Sequence, residues 1–193
     1  RASGIVGREV PLADLERAFH LARGGERQVV FVTGEAGLGK TLLVDAFLTG
    51  LDPAIRHARG QCLEDVGAGE PYRPWLDALG RLCRDPAALT LFTRFAPTWV
   101  ASLPGHTQRP ATPEVPAASR SRMLLERAES LEALSAEAPL VLALEDLHWS
   151  DPSTLDVLAL LAQRPEPARL LVIATYRPVE LVVQGHPLRG LKM

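Results

Sequence analysis

Residues 34–41 contain three glycines, a lysine and a threonine at a spacing that suits the binding of a polyphosphate. The glycines allow backbone N–H groups to turn inward around an anion, and the lysine ammonium can contact the outer phosphates. The threonine hydroxyl can bind Mg²⁺, which prefers oxygen ligands. The segment, called the phosphate loop below, reads Gly34-Glu35-Ala36-Gly37-Leu38-Gly39-Lys40-Thr41 and fits the pattern G-x-x-x-x-G-K-[ST].

The sequence on either side of the phosphate loop predicts the strand and the helix that such a loop requires. Residues 28–33 form an apolar, β-branched run of strand length. Residues 42–48, which begin with Leu42, suit a helix packed on a sheet, and Gly50 is a stop signal. The amino end of this helix would face the phosphates, where its dipole favours negative charge. In this context a nucleotide site is favoured over an ordinary glycine-rich turn.

A second group of candidate residues follows another predicted strand. Glu145 and Asp146 come directly after the continuous apolar run at 140–144, which is typical of a central parallel strand. Open α/β sheets bind ligands at the carboxyl ends of their strands. Nucleotide hydrolysis needs acids there to hold Mg²⁺ and to orient the attacking water. We therefore interpret the two carboxylates as a Walker B pair rather than as an ordinary polar strand end.

Arg177 follows the apolar run at 170–175, which is also predicted to be a buried strand. In a parallel sheet this arginine would lie at the same edge as the phosphate loop. A cation at that position can contact the γ-phosphate and respond to its presence. The alternative is a surface arginine at the end of a strand.

The rest of the pattern predicts helices alternating with strands, and hence an α/β fold with a mostly parallel sheet. The long helix at 119–136 is expected to bury a stripe of apolar residues, and the proline-rich segment 103–116 is expected to be an exposed, mobile loop. The stripe contains Leu124, Leu125, Ala128, Leu131 and Leu134. Further helices are expected at 11–23, at 74–82 and from residues 85 and 150 onward, and a further strand at 55–62.

Composition and charge narrow the classes of function. The chain of 193 residues is 47% hydrophobic, which allows one domain with a substantial core. Its net charge of −2 gives no global case for direct nucleic-acid contact. The sequence has neither a membrane-spanning run nor a signal-peptide pattern, so a cytoplasmic protein without a membrane partner is expected. Cys62 and Cys83 lack zinc or redox spacing and are expected to be buried or half-buried thiols.

Four motifs in order resemble those of the STAND class of AAA+-related P-loop ATPases. This module occurs in large bacterial multidomain regulators, including LuxR-type activators and proteins with adenylate-cyclase domains. The resemblance covers nearly the whole chain and implies a P-loop NTPase three-layer sandwich over residues 1–193, forming the ATPase core of a longer protein. The chain begins with Arg1 and would stop before the family's fifth strand and helical lid, leaving the first strand at an edge. The motifs are Val6-Gly7-Arg8-Glu9, the phosphate loop, the segment 144–151 and the segment 174–178.

The resemblance also implies roles for matching residues. Glu145 would take the first acidic position, usually Asp, and support Mg²⁺ through water. Asp146 would polarise the attacking water, and Arg177 would be the sensor-one arginine. ATP or ADP and Mg²⁺ are the expected cofactors, whereas His148 and Trp149 receive no chemical role. The nucleotide-binding residues would be Val6, Gly7 and Arg8 near the adenine and ribose, and Gly34, Glu35, Ala36, Gly37, Leu38, Gly39, Lys40, Thr41 and Leu42 near the phosphates, with Thr41 also at the metal.

The leading functional hypothesis is an ATP switch that hydrolyses slowly and passes its nucleotide state to other domains of its own chain. A nucleotide-binding interaction module without significant hydrolysis is an alternative, because Glu145 replaces the commoner Asp. A small-molecule phosphotransferase is a further alternative, with Asp65, Glu70 or His106 as candidate bases. An edge position of the first strand would also favour weak nucleotide binding or self-association.

Overall fold

The computed structural model describes residues 7–64, 71–103, 117–183 and 187–190. Within these ranges four strands form one parallel sheet with helices on both faces, which confirms the predicted α/β fold. The strands are β1 (Gln28–Thr33), β2 (Arg56–Gln61), β3 (Leu140–Glu145) and β4 (Leu170–Tyr176). The helices are α1 (Glu9–Arg23), α2 (Lys40–Gly50), α3 (Arg73–Leu82), α4 (Pro86–Phe95), α5 (Pro97–Ala101), α6 (Ala117–Glu137), α7 (Pro152–Gln163) and α8 (Pro178–Val183), with 3₁₀ turns at Leu147–Trp149 and Pro187–Gly190.

The sheet order is β1-β4-β3-β2, so the two most apolar strands are central. Every residue of β3 is buried, and β4 is buried from Leu170 to Thr175. Strands that are covered on both faces need such continuous apolar runs, which explains why these two were readable from the sequence. Among the described residues β1 lies at an edge and is only half-buried, as the resemblance implied.

Alternate residues of the central strands face two helical layers. Val141, Ala143, Leu171 and Ile173 pack against α1 and α2. Their neighbours Leu140, Leu142, Leu144 and Val172 belong to the larger core, which contains residues of α3 to α7. Within the described ranges, none of the helices combines the length and the hydropathy that a membrane span requires.

Two helix starts follow the signals in the sequence. The Asp85 side chain accepts a hydrogen bond of 3.0 Å from the backbone N–H of Ala87, and proline occupies the first turn of α4. Asp151 caps α7 in the same way, accepting a 3.0 Å bond from the backbone N–H of Thr154. These caps satisfy N–H groups that a helix leaves unpaired at its amino end.

The expected apolar stripe of α6 is wrong at one position. Leu125 is 48% exposed, whereas Arg127 is completely buried. The Arg127 guanidinium lies 5.1 Å from the ring of Trp75 and 4.9 Å from the ring of Trp99, and it donates a 2.9 Å bond to the carbonyl of Trp75. A planar guanidinium stacks well on aromatic faces, so an arginine outside the expected stripe is buried in the core while Leu125 faces solvent.

Among the described residues no carboxylate pairs with Arg127. Burial lowers its pKa to about 9, because a charged group is poorly solvated inside the protein.

Of the segment 103–116, the structure describes only Leu103, which is buried rather than exposed. The expected loop at 104–116 otherwise lies outside the described residues.

Helix α3 packs directly on β2 because Gly60 has no side chain. A Cβ atom at Gly60 would lie 1.7 Å from the carbonyl oxygen of Pro74, a backbone atom. We expect Gly60→Ala to destabilise the protein by about 3 kcal/mol or more, since relief requires movement of a strand or a helix. Urea unfolding followed by circular dichroism measures this change.

Gly80 provides the matched control within α3. A Cβ atom there would meet nothing closer than Cδ2 of Leu103 at 3.7 Å, an ordinary contact. Because alanine favours helix over glycine, Gly80→Ala should be neutral or stabilising by up to about 1 kcal/mol. Equal unfolding midpoints for the two variants would contradict the close approach of α3 and β2.

Candidate functional site

The phosphate loop joins β1 to α2 through two glycines with left-handed backbone conformations. The φ angle is 77° at Gly37 and 69° at Gly39, values that favour residues without a Cβ atom. Gly39 immediately precedes α2, so the free N–H groups of the first helical turn begin at the loop. The local geometry is therefore that of an anion-binding turn at a helix amino end.

The side chain of Lys40 folds over the phosphate loop. Its Nζ donates bonds of 2.6 Å to the carbonyl of Gly34 and 3.0 Å to the carbonyl of Glu35. Burial lowers the pKa of Lys40, and the nearby positive charge of Arg177 lowers it further. The charges of Asp146 and Glu35 oppose this shift. The charge of Lys40 thus interacts with those of Arg177 after β4 and Asp146 after β3.

Arg8 supports the phosphate loop from the start of α1. Its guanidinium donates to the carbonyls of Leu38 and Gly39. A cavity of about 510 Å³ adjoins this contact and is bordered by Arg8, by residues 30–33 of the edge strand β1 and by Lys40. Gly7 is exposed, and Val6 lies outside the described residues.

Thr41 and Glu145 join the two halves of the site. The Thr41 hydroxyl donates a 3.0 Å hydrogen bond to Oε2 of Glu145, which is buried at the end of β3. Mg²⁺ commonly takes one or two protein oxygens and completes its shell with water and phosphate. A hydroxyl and a carboxylate in contact fit that chemistry. No cluster of three or more His, Cys, Asp or Glu side chains suited to a metal occurs in the described ranges.

Asp146 adopts a left-handed conformation, with φ 58° and ψ 44°, as the chain turns from β3 into Leu147–Trp149. Its backbone N–H donates a 3.0 Å bond to Oγ1 of Thr175 at the end of β4. Its Oδ2 lies 3.4 Å from Nε2 of Gln61 at the end of β2. Both neighbouring strands therefore fix the position of Asp146.

Arg177 lies beyond the end of β4, and its guanidinium is 3.5 Å from Oε1 of Glu180 in α8. Its positive charge acts on both Lys40 and His148.

His148 is completely buried, and in the described part of the chain neither ring nitrogen has a hydrogen-bond partner. Burial lowers the pKa of His148, which favours the neutral imidazole. The Trp149 ring lies 5.2 Å from it and packs against the core.

Sequence reasoning missed three polar residues at the site: Arg59, Gln61 and Thr175. Gln61 and Thr175 end strands that neighbour β3, so their position at a strand end was an available signal. Arg59 lies within β2, where its guanidinium approaches the carboxylates of Glu145 and Asp45.

The proposed bases of a phosphotransferase, Asp65, Glu70 and His106, all lie outside the described residues.

Comparisons with known proteins agree with this geometry. A family model described as AAA ATPase domain matches residues 4–173. An uncharacterized protein of Rhizobium meliloti (strain 1021) is 25% identical over 197 residues, which cover 90% of this chain and 18% of that protein. A solved Walker-type ATPase of Pyrococcus abyssi is 18% identical, with a TM-score of 0.54 over 91% of this chain and 46% of that one. The structural likeness confirms the P-loop ATPase fold, and the chain spans less than half the length of either relative.

The two cysteines provide a test of the packing, and Cys62 tests it near Asp146 of this site. Both are free and buried, as the sequence predicted. Burial raises the pKa of Cys62 to about 12, helped by the charges of Asp151 and Asp146, and burial raises that of Cys83 to about 11. Since the thiolate is the form that attacks an alkylating reagent, both thiols of the native protein should react slowly at pH 8.

In urea at the same pH, both cysteines should react at the ordinary rate, because an unfolded thiol has a pKa of about 8.5. Mass spectrometry after timed iodoacetamide treatment compares the two states. Rapid labelling of Cys62 in the native protein would show that this thiol is not packed as described.

Proposed function

Because the chain belongs to the AAA ATPase domain family, which implies nucleotide binding, we propose that it is the ATP-binding core of a regulatory switch. In this proposal residues 1–193 form one module of a longer signalling or transcriptional regulator of the STAND class. The observation that carries the proposal is the 3.0 Å contact between Thr41 and Glu145, which brings the phosphate loop to the acidic end of β3. The much greater length of the R. meliloti relative supports a multidomain protein.

The phosphate loop would bind the phosphates of ATP or ADP. Backbone N–H groups around Gly37 and Gly39 and at the start of α2 would donate to phosphate oxygens. Lys40 would exchange the carbonyls of Gly34 and Glu35 for the β and γ phosphates, which are stronger acceptors because they are charged. Arg8 and the cavity beside it support a place for the adenine and ribose at the edge of β1.

Thr41 and Glu145 would hold Mg²⁺, the threonine directly and the glutamate through water. When bound, this ion would offset the negative charge of the phosphates. Thr41 and the Glu145 carboxylate are already in contact, so little rearrangement of these two side chains is required. The glutamate reaches further than the usual aspartate, which supports slow hydrolysis.

Asp146 would accept a proton from the attacking water, and Arg177 would stabilise charge on the γ-phosphate. The fixed backbone of Asp146, held by Thr175, supports a defined direction for that carboxylate. Arg177 would also respond to the nucleotide state, because its 3.5 Å pairing with Glu180 connects the site to α8. Exchange of Glu180 for a γ-phosphate would alter α8 and so transmit the presence of ATP.

The second candidate function is a nucleotide-binding interaction module without significant hydrolysis. The observation that favours it is Glu145, whose carboxylate is shared between Thr41 and Arg59. Steady release of phosphate from ATP by the longest natural form of the chain separates the two functions. Binding without phosphate release would favour the interaction module, and release would favour the switch.

Lys40→Ala tests the nucleotide site. Removal of a charge-assisted contact should weaken Mg²⁺-ATP binding by about 1.5–3 kcal/mol, roughly 10- to 150-fold, in titration calorimetry. Arg84→Ala is a suitable control, because this exposed cation lies outside the phosphate loop. Equal affinities of the Lys40→Ala and wild-type proteins would contradict the assignment of the loop.

Asp146→Asn tests the proposed proton acceptor. Asparagine tolerates the left-handed conformation at this position, so the backbone should be retained. ATP hydrolysis should slow by about 100-fold or more, while ATP affinity changes little. A hydrolysis rate equal to that of the wild type would remove Asp146 from the reaction.

A further inference from the structure

Arg59 contacts Glu145, one of the two residues of the proposed magnesium site. Its Nε lies 3.4 Å from Oε1 of Glu145, and one terminal nitrogen lies 2.6 Å from Oδ1 of Asp45 in α2. We propose that Arg59 is a positioning residue, which holds Glu145 so that its other oxygen faces Thr41. This inference rests on the proposed function, because it assumes that Thr41 and Glu145 serve Mg²⁺.

The register of the sheet places Arg59 at this point. In the parallel pairing of β2 and β3, Arg59 lies opposite Ala143, and Gln61 lies opposite Glu145. Ala58 and Gly60 face the core at α3, so the alternation of the strand directs Arg59 to the face that α2 covers. Asp45 of α2 is therefore available as a second anchor for the guanidinium.

Arg59 and Thr41 contact different oxygens of the same carboxylate. Thr41 donates to Oε2, and Arg59 approaches Oε1. A glutamate side chain has one more rotatable bond than the usual aspartate, and contacts at both oxygens restrict that additional freedom. The carboxylate is thus held in place before a ligand arrives, which is how outer partners of metal ligands commonly act.

The contacts of Arg59 are ion pairs rather than aligned hydrogen bonds. Its Nε and the terminal nitrogen near Asp45 lie within 4 Å of carboxylate oxygens, yet neither N–H direction matches hydrogen-bond geometry. The Glu145 side chain is 8% exposed and the Arg59 side chain 26%, so solvent screens this pair less than a surface pair. In the proposal, the Arg59 guanidinium therefore positions Glu145 by charge attraction, because it reaches the carboxylates of both Glu145 and Asp45.

If Arg59 acted only through its positive charge, its removal would change the Mg²⁺ affinity in the opposite direction. A positive charge beside a cation site repels the cation, so loss of the charge alone would strengthen Mg²⁺ binding. Loss of a positioning contact would instead weaken it, because Glu145 would adopt other rotamers. The direction of the change in Mg²⁺ affinity therefore distinguishes the two roles.

The experiment compares Arg59→Gln with the wild type in the full chain, using ADP to avoid hydrolysis. Calorimetry would give the ADP affinity in EDTA and the Mg²⁺ concentration that half-saturates the increase in ADP affinity. We expect Arg59→Gln to raise that Mg²⁺ concentration about 10-fold, with the metal-free ADP affinity unchanged. Arg56→Gln, on the same strand but paired with Asp85 and Glu137, should leave both values unchanged.

Two further variants keep the test decisive if Arg59→Gln fails to fold. Arg59→Lys retains the charge, but its compact ammonium cannot span both acids, so a smaller loss of Mg²⁺ affinity is expected. Asp45→Asn removes the second anchor and should act in the same direction. An unchanged or tighter Mg²⁺ dependence in the folded variants would overturn the positioning role.

The wild-type titration separates this inference from the proposed function. If the wild type does not bind ADP, the nucleotide-switch proposal and the positioning role both fail. If it binds ADP without any effect of Mg²⁺, the proposed magnesium role of Thr41 and Glu145 fails, and the positioning role fails with it. If the wild type shows Mg²⁺-dependent binding that Arg59→Gln leaves intact, only the positioning role fails. A double-mutant cycle with Glu145→Gln should show that the two losses are not additive.

Discussion

The complete burial of β3 is the constraint on which the site depends. This strand pairs with β2 on one side and β4 on the other, and helices cover both of its faces. Its first polar residue, Glu145, is the last residue of the strand, and Asp146 follows where the chain leaves the sheet. Because all pairings are parallel, the ends of β2 and β4 reach the same edge and supply Gln61 and Thr175 as partners of Asp146. The apolar core thus concentrates the polar chemistry at one edge.

Charge is balanced locally at this edge rather than across the whole chain. Lys40, Arg59 and Arg177 lie around the carboxylates Glu145 and Asp146, as their contacts and mutual effects on pKa values indicate. A polyphosphate with a divalent cation can enter such a mixed environment with modest change in net charge. The overall charge of −2 gives no sign of this local arrangement, which explains why composition did not identify the site.

Much of the fold could be predicted because its strongest signals are local. The run at 28–33 is β1 itself, and the continuous apolar segments became the two central strands. The error at Leu125 and Arg127 arose because helical spacing cannot foresee an arginine between two tryptophans that come from separate helices. The short helices α5 and α8 were not predicted. Arg59 was missed for a related reason: a single arginine in a strand has no evident role until the neighbouring strand and α2 are in place.

The contact between Thr41 and Glu145 also bears on how the protein folds. These residues are 104 positions apart, and the sheet likewise pairs the first strand with the last, as in Gln28 opposite Leu171. Closing such long loops costs conformational entropy before the distant contacts can compensate, so a slow approach to the native state is expected. The candidate site is absent until that closure is complete. A nucleotide that binds only the closed form would draw unfolded chains toward it by mass action, and the cellular nucleotide concentration would then influence how much folded protein is present.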